Sequence, residues 1–191
     1  DVLERLLYNG ILSGVGLSGD LFFYPNPLAS FGQHQRSPWF PCACCPSNVS
    51  RFIPSIPGYV YALRDNILHV NLFADNRASL TMDDGLVVQV SQRTEYPWAG
   101  KVSIFIDPKS TRTFTVAVRI PGWARNEPVP GDLYTYDDSL QPAASLKVNG
   151  QAVNIEPDKG WALVKRTWAR GDWIELDLPM NVRRVRAHAR V

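Results

Sequence analysis

The chain has 191 residues, a net charge of +2, 45% hydrophobic residues and 20% charged residues. That balance is enough for a packed core, and so small a net charge makes no case for a nucleic-acid partner. No apolar stretch reaches the roughly 20 residues that a membrane-crossing helix needs, so no membrane partner is expected.

Val2, Leu3, Leu6, Leu7 and Ile11 recur at helical spacing, which predicts a helix whose apolar stripe packs inward. It should end near Ser13 to Gly16, where Gly14 and Gly16 break it. Gly19-Asp20 signals a turn before Leu21-Phe22-Phe23-Tyr24, which reads as a short aromatic strand closed by Pro25-Asn26-Pro27. Residues 29–38, with His34 and Arg36, read as a loop.

Every cysteine of the chain falls in Trp39-Phe40-Pro41-Cys42-Ala43-Cys44-Cys45-Pro46-Ser47-Asn48-Val49-Ser50-Arg51. Three thiols within four residues are not placed for packing, since buried structural cysteines scatter through a core. Vicinal cysteines have Cα atoms about 3.8 Å apart, whereas a relaxed disulfide wants roughly 4.4–6.8 Å. A shared soft metal ion or one activated thiolate suits the Cys44-Cys45 pair better than a bridge. Pro46 is expected to push Cys45 out of the helical region and to open a short helix over residues 47–55. The cysteines then lie at a helix N-terminus, where free N–H groups and the dipole favour anions. Arg51, one turn in, adds positive charge. Each effect lowers a thiol pKa, and the thiolate is both nucleophile and metal ligand. The cluster does not make a secreted disulfide framework. It fits a reducing compartment or a metal that protects the thiols, so a soluble cytoplasmic or periplasmic setting is left open.

From Gly58 the character changes to period-two alternation. Tyr59, Tyr61 and Leu63 start it, and Leu68, Val70 and Leu72 continue it. Val102, Ile104 and Ile106 follow, then Phe114, Val116 and Val118, and later segments around 146–148, 162–164 and 173–178. Asp65-Asn66, Asp83-Asp84-Gly85, Asn149-Gly150 and Arg170-Gly171-Asp172 punctuate these runs as hairpin turns. The expectation is a mainly β chain, an antiparallel β-sandwich preceded by a short helical segment. The Pro- and Gly-rich stretch 121–144 reads as a long surface loop, and the basic run at Arg183, Arg184 and Arg186 as a solvated strand face. The composition boundary near residues 57 and 58 predicts two parts, 1–57 and 58–191. The chain begins inside a helical pattern and stops without a turn signal, so it reads as an internal piece of a longer protein, with the second part truncated at its C-terminal end.

Leu6-Leu7-Tyr8-Asn9, Phe22-Phe23-Tyr24-Pro25-Asn26-Pro27-Leu28, Trp39-Phe40 and Cys42-Ala43-Cys44-Cys45-Pro46-Ser47-Asn48 with Arg51 together resemble glycoside hydrolase family 127. So do Arg119-Ile120-Pro121-Gly122-Trp123 and Trp168-Ala169-Arg170-Gly171-Asp172 farther on. These are β-L-arabinofuranosidases. The resemblance implies a catalytic (α/α)6 barrel, of which residues 1–57 are the closing part, followed by β-sandwich domains that begin with 58–191. It also implies a zinc ion held by three cysteines and a glutamate, with Cys44 as nucleophile and zinc ligand and Cys45 as a second ligand. The remaining ligands and the acid/base glutamate belong upstream, so this chain alone is expected to be inactive. Cys42 either completes a ligand set or lines the pocket. Tyr24 and Asn26 are placed near the sugar, although Tyr24 could equally pack the barrel mouth. His34 reads as a solvated loop residue before a sugar contact. Trp39 and Phe40 read as an aromatic wall or as core. The partners implied are an arabinose-containing oligosaccharide or glycan and the rest of the parent polypeptide.

Two other readings compete. A non-catalytic carbohydrate-binding or interaction sandwich accounts for the strands and tryptophans but not for the cysteines. A structural zinc site made of the three cysteines and His34 lacks the paired C-x-x-C spacing.

Overall fold

The computed structural model describes every residue except Asn26, Leu28 and Pro142. Its contacts divide into two units, Asp1–Pro57 and Gly58–Val191. No helix among the described residues is long and apolar enough to cross a membrane.

The first unit opens with helix α1 (Val2–Arg5), which widens into a π-helical stretch (Leu6–Ile11) and tightens into a 3-10 turn (Leu12–Gly14). The winding stops where Val15 turns extended, inside the window that the glycines mark. Leu21 to Tyr24 does not form a strand. Only Phe22 pairs, bridging Val15 on one side and Ser37 on the other. The turn at Gly19 and the Pro25 stop leave too few residues for a ladder. Helix α2 (Cys44–Phe52) and a 3-10 turn (Ile53–Ser55) close the unit. Helix α2 starts three residues earlier than expected, and Cys45 is helical. The first turn of a helix has no intrahelical partner for its N–H groups, so Pro46 costs no hydrogen bond in its third position and does not displace the start.

The second unit is a β-sandwich. One sheet has four strands in the order β1 (Tyr61–Arg64), β2 (Ile67–Val70), β6 (Arg112–Arg119) and β10 (Trp161–Trp168). The other has six, in the order β3 (Asn76–Thr81), β4 (Val87–Thr94), β5 (Lys101–Pro108), β11 (Asp172–Asp177), β8 (Ser145–Val148) and β9 (Gln151–Val153). All pairings are antiparallel except β2 with β6. Alternation does the work that the sequence promises: Val102, Ile104 and Ile106 of β5 are fully buried, as are Val116 and Val118 of β6. The odd neighbours in β5 face out, whereas Ala117 and Arg119 of β6 are buried too. A buried polar tie joins the layers, with Gln92 of β4 donating to the Tyr61 hydroxyl and to the Leu72 carbonyl, 3.1 Å each.

Asp65-Asn66 and Asn149-Gly150 both hold positive φ at two successive positions, the type I′ geometry that right-twisted hairpins demand. Arg170-Gly171-Asp172 is different. It joins β10 to β11, which belong to different sheets, so it is a corner between layers and not a hairpin turn. Trp168, fully buried, fills the space behind that corner.

The stretch 121–144 is more ordered than a loop. It holds a 3-10 turn (Gly122–Arg125) and strand β7 (Tyr134–Tyr136), which pairs with β12 (Val185–Ala187). Arg183 is not solvated either. Its side chain is 4% exposed, bonded to Asp138 at 2.6 Å and stacked 3.5 Å over the Tyr136 ring.

Candidate functional site

Local chain geometry brings the aromatic segment and the cysteines together within the first unit. Phe22 exchanges two backbone hydrogen bonds with Ser37, both 2.9 Å, while Phe23 N–H donates to Gly14 at 2.9 Å. This clamp fixes Tyr24 two residues on. Phe40 packs on Tyr24 with ring centroids 5.4 Å apart, so of the two aromatics read as a wall it is Phe40 that backs the tyrosine. The Trp39 indole is exposed.

The cysteines occupy the start of α2. No side chain caps that end, which leaves first-turn N–H groups available to a nearby anion. Cys44 Sγ and Cys45 Sγ lie 3.8 Å apart. Hydrogen bonding from the Tyr24 phenol pulls the Cys44 thiol below its ordinary range, with smaller contributions from Cys45, Cys42 and its own backbone N–H. Burial pushes the Cys45 thiol up, and hydrogen bonding to Cys44 adds to this. The phenol of Tyr24 is held protonated by the same contact with Cys44. The pair is therefore polarised: Cys44 gives up its proton first, and its neighbours are kept as donors to it.

Asn48 and Arg51 brace the cysteine from behind. Asn48 donates to the Cys44 carbonyl at 2.8 Å, and Arg51 donates to the Asn48 side chain at 2.6 Å. The Arg51 guanidinium thus reaches the site through Asn48, and it is not among the groups that lower the Cys44 pKa. Sequence reasoning missed this brace, although the i, i+4 and i, i+3 spacings carry it.

Two thiolates bound about 2.3 Å from one tetrahedral zinc ion lie about 3.8 Å apart, so the Cys44–Cys45 spacing fits a shared zinc. Cys42 joins as a hydrogen-bonding neighbour of Cys44. Among the described residues, no three His, Cys, Asp or Glu side chains converge to hold a metal. A site closed by all three cysteines and His34 is therefore not assembled. His34 stacks on Phe23 at 4.4 Å and places Nε2 2.9 Å from the Pro25 carbonyl oxygen, so this half-buried loop residue is packed on one side. Asn26 lies outside the described residues.

Residues 67–180 match the model of the GH127 β-L-arabinofuranosidase middle domain, and residues 1–58 match that of the GH127 catalytic domain. The chain belongs to glycoside hydrolase family 127. It is 35% identical over 210 residues to the non-reducing end β-L-arabinofuranosidase of Bifidobacterium longum subsp. longum, an alignment that takes in the whole chain and 28% of that protein. Among solved structures it is similar to the GH127 β-arabinofuranosidase BT3674, with TM-score 0.93 and 49% identity over 98% of this chain and 29% of that one. It is also similar to Ara127N-Se, a GH127 β-L-arabinofuranosidase from Geobacillus stearothermophilus T6, with TM-score 0.84 and 37% identity over the same shares. The chain spans less than a third of the length of each of these relatives.

Proposed function

We propose that the chain is part of a retaining glycoside hydrolase acting on β-L-arabinofuranosides, with Cys44 as nucleophile and with Cys44 and Cys45 as two ligands of a zinc ion. The observation that carries this reading is the polarised vicinal pair, with sulfur atoms 3.8 Å apart and the Cys44 thiol alone held below its ordinary range. Family membership and the names of the relatives supply the sugar.

A zinc ion, when bound, keeps the Cys44 sulfur deprotonated at neutral pH. Cys44 Sγ then attacks the anomeric carbon. A C–S bond forms as the glycosidic C–O bond breaks, and the leaving oxygen takes a proton from a general acid. Water, giving its proton to the group that first served as general acid, next displaces the sulfur as thiolate from the opposite face, giving net retention. A thiolate here does the work of the nucleophilic carboxylate in ordinary retaining enzymes. Tyr24 donates a hydrogen bond to the sulfur and stands beside the sugar. Phe40 holds the Tyr24 ring. The general acid and the other zinc ligands are assigned to no residue of this chain, and the partners are an arabinose-containing glycan and the rest of the parent polypeptide.

An epoxide analogue of arabinofuranose, incubated with the parent enzyme and followed by peptide mass mapping, tests the assignment. The adduct is expected on Cys44 and absent from Cys44→Ser. An adduct on another residue contradicts it. The isolated chain is expected to leave an aryl arabinofuranoside untouched. Hydrolysis near the rate of a full-length relative would show that its acid/base lies within these residues.

A further inference from the structure

The outer face of the six-stranded sheet carries a row that runs straight across four strands: Arg77 of β3, Ser91 of β4, Phe105 of β5 and Trp173 of β11, each the cross-strand partner of the next. Strands lie about 4.8 Å apart, so the row is about 14 Å long. Phe105 is exposed and Trp173 half-buried, which gives two adjacent aromatic side chains on a face that no other sheet of the sandwich covers. The next row, Ser79, Gln89 and Asp107, is polar. Beside it lies a groove of about 350 Å³ lined by Arg77, Gln89, Asp107, Lys109 and Arg170.

Three cations share this groove with one carboxylate, and that carboxylate is already engaged, accepting the Gly171 N–H at 2.7 Å. Among the described residues, Arg77, Lys109 and Arg170 form no ion pair. Gln89 spends its amide N–H on Ser79 at 2.7 Å, which leaves its oxygen to accept. Sugar rings offer apolar faces that lie on aromatic side chains and hydroxyls that bond to short polar groups. Unpaired cations at the margin of such a platform select for carboxylates.

We propose that this face is an ancillary binding site for an acidic glycan, a chain of sugars bearing uronate carboxylates, with Phe105 and Trp173 as the platform and Arg77, Lys109 and Arg170 as the charge-selecting rim. The site uses no residue of the Cys44 chemistry and does not depend on it.

Affinity electrophoresis of the full chain tests the proposal, with polygalacturonate, neutral arabinan and dextran sulfate each cast into the gel at physiological salt. Polygalacturonate is expected to retard the chain, and the Arg77→Ala, Lys109→Ala, Arg170→Ala triple variant is expected to lose at least fivefold in affinity. These three side chains are exposed, so the variant should fold, and an unchanged far-ultraviolet spectrum checks this. Phe105→Ala, which leaves the three rim charges in place, should also lose affinity for polygalacturonate. No retardation by polygalacturonate overturns the site. Retardation that both variants leave intact overturns its location. Equal retardation by dextran sulfate, unaffected by Phe105→Ala, shows charge binding only and overturns the glycan assignment. Equal retardation by arabinan overturns the acidic class.

Discussion

The Tyr24 phenol and the Cys44 thiol shift each other in opposite directions, the first up and the second down, through the hydrogen bond between them. Tyr24→Phe removes the donor and keeps the ring that packs on Phe40. The Cys44 pKa should then rise, so a smaller fraction is thiolate at any pH below it. In metal-free protein, alkylation of Cys44 by iodoacetamide at neutral pH should slow several-fold, and the pH–rate profile should move to higher pH. A profile that stays in place would show that Tyr24 does not tune this sulfur.

The backbone of Gly100 lies so close to Leu178 that an added Cβ would meet the Leu178 carbonyl oxygen at 1.9 Å. Leu178 N–H also donates to the Gly100 carbonyl at 3.0 Å. Neither atom can give way without moving backbone. Gly100→Ala should therefore destabilise the sandwich by about 1–3 kcal/mol or more, read as a lower midpoint in urea with an unchanged slope. A midpoint within error of the parent would mean the two segments separate freely.

Trp168 is fully buried, packs near Phe114 with centroids 6.0 Å apart, and donates its indole N–H to the Phe114 carbonyl at 3.1 Å. Trp168→Ala removes the plug behind the corner that joins the two sheets. The loss should be about 3–5 kcal/mol. Trp168→Phe, which keeps most of the volume but abandons the Phe114 carbonyl, should fall between the two in thermal melts.

Hydrogen bonds from Arg183 hold the Asp138 carboxyl below the usual carboxylate range. A carboxyl lowered by folding adds stability above its unfolded pKa, and loses it as pH falls through the folded value. Asp138→Asn should therefore lower the melting temperature most near neutral pH. The gap from the parent should close as the solution is acidified into the carboxylate range. A gap that does not depend on pH would place the effect in packing against Tyr136 and not in charge.

The parts of the fold that can be read from the sequence are those where burial is one-sided and strong. Strand β5 alternates cleanly because every second residue reaches the core, whereas the last four residues of β6 are all buried. Strand β3 shows no such signal: its inward residues Asn76, Ala78 and Leu80 are only half-buried at the edge of the sheet. The pairing of β7 with β12 joins segments about 50 residues apart, which no local pattern reveals. The corner at Gly171 has the residues of a hairpin, and only sheet assignment tells the two apart. At the site, the cysteine motif announces itself by composition and spacing. The start of α2 at Cys44 does not, because a proline in the first turn is compatible with more than one helix start. The Arg77–Ser91–Phe105–Trp173 row is invisible to sequence because it exists only in the register of four strands.

The most direct test of the central claim is the turnover of an arabinofuranoside by the parent enzyme carrying Cys44→Ala, with zinc content measured on the same sample. Loss of the thiolate nucleophile predicts a fall in kcat of several orders of magnitude, and a protein whose secondary structure is unchanged. Turnover close to that of the unmodified enzyme would contradict the account, because some other group would then be forming the bond to the sugar.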